Sequence, residues 1–212
     1  MLQRSCELII LMGPLILLAI YISFFGAVHS FMAARWFKSR VYRFVDPQHY
    51  RLIYSVLSVL LFIPILVVWG SGRDSSPLIF VVSYPFRLIS YLVMISAVAL
   101  FFLTALQIDF LEFLGLNGFF GKKEEDSKLI TDGFYRICRH PMYLFAIIAL
   151  WAFPMLKQID MVGNGFITLY FILGAWLEEQ KMREDFGSEY QEYRQKVSMF
   201  IPFKWFKRKL KR

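Results

Sequence analysis

The chain of 212 residues is 58% hydrophobic and 18% aromatic, whereas a soluble domain is roughly 45–50% apolar. It carries 24 Lys and Arg against 16 Asp and Glu, a formal net charge of +8. The apolar excess argues against a soluble globular domain. The sequence also has no Gly-rich phosphate loop, no nucleophile elbow and no Cys and His at metal-ligand spacing, which argues against the enzyme classes that those motifs define.

Five apolar runs, taken in chain order, are predicted to cross a membrane. The first three, residues 8–34, 52–72 and 88–108, each exceed the roughly 17 residues that a spanning helix needs at least. Residues 140–156 and 161–177 lie at the lower limit, and the intervening "KQID" predicts a short loop that makes this pair an antiparallel hairpin. The first run is longer than the roughly 7–15 apolar residues of a signal peptide, and no small-residue cleavage site follows it, so we expect a permanent helix.

Lys and Arg are distributed unevenly among the segments that join these runs. Twenty of the 24 lie in residues 30–51 and 107–139 or after residue 177, and the other four are Arg4, Arg73, Arg87 and Lys157. The positive-inside rule therefore places both long loops and the C-terminus in the cytoplasm, and five spans place the N-terminus outside. We therefore attribute the excess of Lys and Arg to membrane topology and to contact with anionic lipids, and not to nucleic-acid binding.

The predicted fold class follows from these spans. We expect an all-α integral membrane protein of about five transmembrane helices, with a C-terminal helix hairpin and cytoplasmic amphipathic segments. Residues 1–106 would form an N-terminal three-helix part and residues 107–212 a C-terminal cofactor-binding part of one integrated domain. The inner or cytoplasmic membrane is the expected location, with the active site facing the cytoplasm.

The C-terminal "FKWFKRKLKR" alternates aromatic residues with cations. Such a segment suits the surface of a membrane with anionic headgroups, and a solvated basic tail is the alternative. The two cysteines, Cys6 and Cys138, are far apart and on opposite predicted sides of the membrane, so a disulfide between them is not expected.

Chemically active side chains gather in "RICRHPMYL", residues 136–144. Pro141 suits the first position of a helix, because the N–H it lacks has no intrahelical partner there. His140 then lies near the N-cap, and Tyr143 follows on the same helical face. The amide end of the helix favours an anion, and Arg139 adds a donor for a carboxylate or phosphate.

A pair of acidic residues, Glu178 and Glu179, lies where the fifth run ends. Because the two last runs are predicted to be antiparallel, these carboxylates should face the Arg139, His140 and Tyr143 side chains. The result is a pocket with an anion-binding end, a cation-binding end and aromatic walls. S-adenosylmethionine, which has a carboxylate, an ammonium and a sulfonium, matches such a pocket. Anchoring of helices by interfacial Arg, His and Tyr is the alternative.

The same residues carry a resemblance to a known family. "GFYRICRHPMYL", followed by "LEEQKMREDFGSEYQEYRQKV", resembles the membrane methyltransferase superfamily, which includes isoprenylcysteine carboxyl methyltransferases and phospholipid N-methyltransferases. "HSFMAARWFK", "YRLIYSVLSVLLFIPILVVW" and "IDFLEFLGLNGFF" are similar to the methanethiol S-methyltransferase and NnrU-like branch. The chain departs from that branch at Phe110, where a histidine is common, and at Ser55, where an asparagine is common.

The resemblance implies roles for individual residues. S-adenosylmethionine would be bound by His140, Tyr143, Glu178, Glu179 and Tyr135. Arg139 and Glu179 receive a catalytic role, Arg139 by stabilising a thiolate or a carboxylate oxygen. The expected substrate-side residues are His29, Arg51 and Asp109, for which helix capping and interfacial anchoring are the alternatives. Tyr190 and Tyr193 match the tyrosines of the superfamily pattern, and we expect them to pin the tail helix to the bundle; closing of the cofactor pocket is the alternative.

We therefore expect an S-adenosylmethionine-dependent membrane methyltransferase that acts on a small, methanethiol-like thiol or another lipid-soluble nucleophile. Such an in-line displacement mainly needs alignment of the nucleophile and exclusion of water, so no metal is expected. Carboxyl methylation of an isoprenylcysteine and N-methylation of a phospholipid are alternatives. A sterol reductase and a non-catalytic, NnrU-like accessory protein represent other classes.

Overall fold

The computed structural model describes residues 2–108 and 128–210, and the side chains of residues 12–47, 49–108 and 128–210 among them. Its elements, in chain order, are α1 (Leu2–Ala33), α2 (Arg35–Val41), α3 (Pro47–Ser75), β1 (Leu78–Val81), α4 (Phe86–Ala105), a 3-10 turn (Gly133–Arg136), α5 (Pro141–Trp151), β2 (Met155–Lys157), α6 (Gln158–Lys196) and α7 (Phe203–Lys209). The described chain is therefore mostly helical.

Four of the helices are long and apolar enough to cross a membrane, namely α1, α3, α4 and α6. Their large apolar side chains are mostly uncovered: Val59 of α3 is 65% exposed and Leu92 of α4 is 64% exposed. Only 6% of the most apolar stretch of α3 is buried within the protein. A soluble protein would not leave such continuous apolar surface in water, so these helices are consistent with an integral membrane protein.

The fourth predicted span forms only a short apolar helix. Residues 140–156 contain α5, which has 11 residues, fewer than the roughly 17 that a spanning helix needs. The predicted "KQID" loop is wrong, since Lys157 ends β2 and α6 begins at Gln158. The reason is Asp160, whose Oδ2 accepts the Lys157 backbone N–H at 2.9 Å and so satisfies one of the free amides where the helix begins.

A short two-stranded sheet, which the sequence pattern does not predict, joins two of the loops. β1 is antiparallel to β2, with Leu78 opposite Lys157 and Val81 opposite Met155. The run "LIFVV" lies between Pro77 and Pro85 and is rich in residues that favour strands. All four β1 side chains are exposed.

The described residues form two compact units, which are considered separately. The first comprises residues 2–87 and 154–170, and the second comprises residues 88–108, 128–153 and 171–210. The expected parts at 1–106 and 107–212, within one integrated domain, stay a prediction.

The first unit is built on α1 packed against α3. Its buried apolar core consists of Leu18, Ile22, Ile65 and Ile159. The end of α3 is held to the start of α6 by Asp160, which accepts hydrogen bonds from Trp69 Nε1 at 2.8 Å and Arg73 Nε at 3.1 Å. Asp160 is only 5% exposed, so these donors replace the water that its carboxylate would otherwise need.

The second unit owes its shape to a sharp turn inside α6. Gly187 has φ 49° and ψ −121°, a combination that only glycine adopts readily. Helical residues rise about 1.5 Å each, so a straight helix would separate residues 179 and 194 by about 22 Å. Arg194 Nε nevertheless lies 3.2 Å from Glu179 Oε2. The turn at Gly187 therefore folds the last part of α6 back toward Glu179.

Candidate functional site

Backbone hydrogen bonds place the RHPMY segment in the second unit. The Arg139 N–H donates to the Ser198 carbonyl at 2.9 Å, and the His140 N–H donates to the Met199 carbonyl at 3.1 Å. Cys138 and Ser198 form an isolated parallel β-bridge just before them. The chain that follows α6 thus holds Arg139 and His140 in place from the side.

Arg139 and Glu179 form a buried ion pair. Arg139 Nε donates to Glu179 Oε1 at 2.7 Å, and Arg139 Nη2 donates to the same oxygen at 2.5 Å. The two side chains are 8% and 6% exposed. Arg139 Nη1 donates in addition to the carbonyls of Arg194 and Val197. Most of the five guanidinium donors are thereby engaged within the protein.

Two further side chains approach Glu179. Arg194 lies 3.2 Å from its Oε2, and His140 Nε2 lies 3.5 Å from its Oε1. A carboxylate surrounded by donors in this way is stabilised in its ionised form despite its burial. The catalytic roles assigned to Arg139 and Glu179 stay predictions.

His140, Tyr143 and Glu178 form the neighbouring half of the cluster. The Tyr143 hydroxyl donates to Glu178 Oε2 at 3.1 Å, and His140 Nδ1 lies 3.6 Å from the same oxygen. The Tyr143 ring stacks on His140, with 5.6 Å between centroids, and on Phe171, at 5.1 Å. The Glu178 side chain remains 40% exposed. The predicted meeting of RHPMY residues with the two glutamates is thus confirmed as geometry.

Among the described residues, two buried nitrogens near Glu179 lack a hydrogen bond, His140 Nε2 and Arg194 Nε. His140 is 7% exposed, and its Nε2 has no hydrogen-bond partner among the described residues. Glu179 Oε1 is 3.5 Å from it, at the limit of a hydrogen bond. A buried polar atom without a partner is uncommon in native proteins and marks a position where a ligand group or water fits.

A polar cleft opens beside the ion pair. It has a volume of about 380 Å³ and is lined by Arg139, Gln191, Arg194, Gln195 and Lys204. Its wall carries three cations and two amides, and the Lys204 ammonium donates to the Arg194 carbonyl at 2.7 Å. The cleft therefore favours an anionic ligand group and offers hydrogen bonds to hydroxyls or ring nitrogens.

Tyr190 and Tyr193 hold the end of α6 against the unit. Both are buried and form an apolar cluster with Val197. The Tyr193 hydroxyl donates to the Tyr135 carbonyl at 2.7 Å. These contacts support the expectation that the two tyrosines pin the tail helix.

Burial also changes the acidity of two groups near the site. It raises the pKa of Tyr135 to about 12, with a smaller contribution from the nearby Glu178 charge. It raises the pKa of the Cys138 thiol to about 11. Both groups are therefore neutral at physiological pH, and neither is prepared to act as a nucleophile or base.

The predicted substrate-side residues lie elsewhere. His29 is in the first unit, where its Nδ1 is 2.9 Å from Ser58 Oγ and its Nε2 is 2.5 Å from the Tyr54 hydroxyl. Arg51 lies in the first turns of α3, which begins four residues earlier, at Pro47. Asp109 and the departure at Phe110 lie outside the described residues.

Sequence reasoning missed several members of these clusters. Tyr54 and Ser58 carried a signal, since polar residues spaced by four share one face of an otherwise apolar helix. Arg194 and the carbonyl of Val197 carried none, because their approach to Arg139 depends on the turn at Gly187.

Within the described residues, no group of three or more His, Cys, Asp or Glu could hold a metal ion.

The long apolar helices are consistent with an integral membrane protein, and the second unit carries a buried cluster of charged side chains. Comparison with known families then places it: the chain belongs to the NnrU protein family, whose model matches residues 16–199. The resemblance to the NnrU-like branch of membrane methyltransferases is thereby confirmed.

Several proteins that are similar in sequence are named as methyltransferases. Methanethiol S-methyltransferase 1 of Bradyrhizobium diazoefficiens is 30% identical, over 85% of this chain and 64% of the relative. The methanethiol S-methyltransferase of Mycobacterium tuberculosis is 27% identical, over 84% of this chain and 74% of the relative. A probable protein-S-isoprenylcysteine O-methyltransferase of Oryza sativa subsp. japonica is 41% identical, over 38% of this chain and 44% of the relative. The chain thus spans 64% of the Bradyrhizobium protein's length. No solved structure matches the chain.

Proposed function

We propose that this chain is an integral membrane methyltransferase that uses S-adenosylmethionine to methylate a small, methanethiol-like thiol. The single observation that carries the proposal is the meeting of His140, Tyr143 and Glu178 beside the buried Arg139–Glu179 pair. The names of the relatives agree with it, since the sequence match to methanethiol S-methyltransferases extends over most of this chain.

The residues of the second unit fit the proposed cofactor. The half-exposed Glu178 carboxylate and the stacked rings of His140, Tyr143 and Phe171 suit the two cationic groups of S-adenosylmethionine. The unpartnered His140 Nε2 offers a hydrogen bond to a polar group of the ligand. The cleft lined by Arg139, Arg194 and other polar side chains suits a carboxylate and ribose hydroxyls.

Each residue would contribute by binding or positioning. When bound, the cofactor supplies an activated methyl group. Glu178 would hold positive charge, and the aromatic rings would exclude water from the site. Arg139 and Glu179 would keep the segment that carries His140 fixed against the end of α6, because both are buried and bind each other. Their proposed role is therefore positioning.

The proposed topology puts the C-terminus and this site on the cytoplasmic side, by the charge distribution. The α7 helix would then lie on the inner membrane surface. Its exposed apolar residues Phe203, Phe206 and Leu210 are spaced to share one face, and Lys207, Arg208 and Lys209 suit anionic headgroups.

The test measures cofactor binding and turnover in detergent. Purified protein should bind labelled S-adenosylmethionine and convert methanethiol to dimethyl sulfide, detected by gas chromatography. Replacing Glu178 with Gln should weaken cofactor binding at least tenfold, since a charge-assisted contact contributes about 1.5–3 kcal/mol. Replacing Glu192 with Gln is the matched control, because that carboxylate is 71% exposed and pairs with Lys196 in an i, i+4 contact. Unchanged binding in Glu178→Gln would exclude the proposed site.

A second candidate is O-methylation of an isoprenylcysteine carboxylate. The observation that favours it is the local identity of 41% to the Oryza sativa protein, higher than the 30% to the thiol methyltransferase of Bradyrhizobium diazoefficiens, although over a shorter stretch. Methyl transfer to a farnesylcysteine analogue but not to methanethiol would select this candidate. Cofactor binding without transfer to thiols, prenylcysteine analogues or phospholipids would favour an accessory protein.

A further inference from the structure

A second polar cluster lies among the apolar helices of the first unit, around His29. Its ring stacks on Phe25, at 5.2 Å between centroids, and lies beside Tyr54 at 4.7 Å and Tyr170 at 6.3 Å. Gly26 permits this packing, because a Cβ there would stand 3.0 Å from the Tyr170 ring. Polar groups among membrane helices are costly and are usually functional.

The hydrogen bonds around His29 have a defined direction. Ser58 Oγ donates to the Tyr54 carbonyl at 2.7 Å, one turn earlier in α3. A serine hydroxyl has a single hydrogen, so toward His29 Nδ1, at 2.9 Å, Ser58 Oγ acts as the acceptor. His29 therefore carries its proton on Nδ1.

The other ring nitrogen is consequently the basic one. Since a neutral imidazole has one N–H, Nε2 of His29 accepts a hydrogen bond, and the donor is the Tyr54 hydroxyl at 2.5 Å. The chain of donors runs from Tyr54 O–H to His29 Nε2, and from His29 Nδ1–H to Ser58. Ser58 in turn donates its hydroxyl hydrogen to the Tyr54 carbonyl. Because Ser58 can then only accept from His29, it keeps the proton of His29 on Nδ1.

We infer that the Tyr54–His29 pair accepts the proton of the acceptor thiol. The inference rests on the proposed function, because methylation of a neutral thiol releases a proton, and the thiolate is the reactive nucleophile. The S–H bond breaks, its proton passes to the Tyr54 oxygen, and the Tyr54 proton passes to His29 Nε2. The products of this step are a thiolate and a doubly protonated imidazolium, so charge and atoms balance.

The surroundings suit a small, uncharged thiol. Phe25, Tyr54 and Tyr170 offer aromatic faces, and sulfur packs favourably against aromatic rings. A small neutral thiol would lose its proton at this pair.

The kinetic test uses two thiols of different acidity at pH 7. Methanethiol is protonated there, whereas pentafluorothiophenol is ionised and needs no base. Replacing His29 with Gln or Tyr54 with Phe should slow methylation of methanethiol by about 10²–10⁴-fold, the contribution of a general base. The same variants should methylate pentafluorothiophenol within about threefold of the unmodified protein. His49→Gln is the matched control, since His49 is 74% exposed and pairs with Asp46 on the surface.

A second measurement needs no methyl donor. The chain has three histidines, so nitrogen-15 spectra of histidine-labelled protein contain three pairs of ring signals, and His29→Gln assigns one of them. His29 should be neutral with its proton on Nδ1, and Ser58→Ala should release that tautomer.

The outcomes separate this inference from the proposed function. If the unmodified protein binds the cofactor and methylates neither thiol, the proposed function is wrong and the inference falls with it. If the protein is active but His29→Gln and Tyr54→Phe slow both thiols equally, or neither, the inference alone is overturned. Finding the His29 proton on Nε2 would overturn it as well, whether or not the variants are active.

Discussion

Breaking the buried ion pair by Arg139→Met should open the segment that carries His140. Both partners are less than a tenth exposed and are joined by hydrogen bonds of 2.7 and 2.5 Å. Removing one member of a buried pair destabilises a protein by about 3–5 kcal/mol. The lower end applies to Arg139→Met, because Glu179 keeps Arg194 at 3.2 Å and His140 at 3.5 Å.

The converse change, Glu179→Leu, should be worse. It leaves Arg139 buried with no carboxylate, so about 5 kcal/mol is expected. Arg194 contributes less to this loss, because its side chain is 36% exposed and can regain water. The double variant Arg139→Met with Glu179→Leu should lose less than the sum of the two single losses, since it removes the uncompensated charge.

Cys138 supplies the assay. It is a free thiol, 1% exposed, directly before Arg139, so a maleimide reaches it only when this segment opens. In protein with Cys6 replaced by Ser, the labelling rate reports the opening equilibrium as long as closing is faster than labelling. A loss of 3 kcal/mol corresponds to a rate increase of roughly a hundredfold, since about 1.4 kcal/mol is tenfold.

The control is Lys196→Met, which removes an ion pair of two side chains that are 64% and 71% exposed. Such a pair contributes about 0–1 kcal/mol, so labelling should stay within fivefold of the parent protein. A labelling rate in Arg139→Met that also stays within fivefold would refute the stabilising role of the buried pair. If Lys196→Met accelerated labelling equally, the labelling rate would not report local opening of the segment around Arg139.

Two further predictions concern pH and the turn in α6. Burial raises the pKa of Cys138 from 9.0 to about 11, so the folded state keeps the thiol proton above pH 9 while the unfolded state loses it. The free energy of unfolding should therefore fall as the pH rises from 9 through 11. Thermal unfolding in detergent should show this loss, Cys138→Ala should reduce it, and an identical pH profile in the variant would contradict the prediction. Gly187→Ala should destabilise the protein by about 1–3 kcal/mol, because the backbone of Gly187 lies in a region that only glycine adopts readily. The control is Gly165→Ala, where the added Cβ has nothing within 4 Å. This variant should be neutral or stabilising in the same melting assay.

The partners at the candidate site could be predicted because topology alone sets them. The apolar run that begins after residue 140 and the apolar run that ends before residue 178 are predicted to be antiparallel. The polar residues at the start of the first and at the end of the second should therefore lie at the same depth in the membrane. The structure indeed joins His140 and Tyr143 to Glu178. The extent of α3 was also predictable within a few residues, since its apolar run is long and uninterrupted.

Other features depended on contacts that no local pattern specifies. The attachment of the start of α6 to α3 depends on the bonds of Asp160 to Trp69 and Arg73, both of which lie about 90 positions earlier in the chain. The direction of the Arg139 side chain follows from the backbone carbonyl of Val197, which reaches it only because the chain turns at Gly187. Spacing along one helix cannot predict either of these.

The two adjacent glutamates cannot perform the same task. Consecutive residues of an α-helix point about 100° apart, because one turn takes 3.6 residues. Glu179 faces inward, 6% exposed, and its charge is matched by Arg139 and Arg194. Glu178 is 40% exposed and meets only the neutral or weakly basic groups of Tyr143 and His140 among its described polar contacts. On the proposed function, an incoming cation would therefore meet the unmatched negative charge of Glu178, and Glu179 would maintain the geometry that keeps that charge in place.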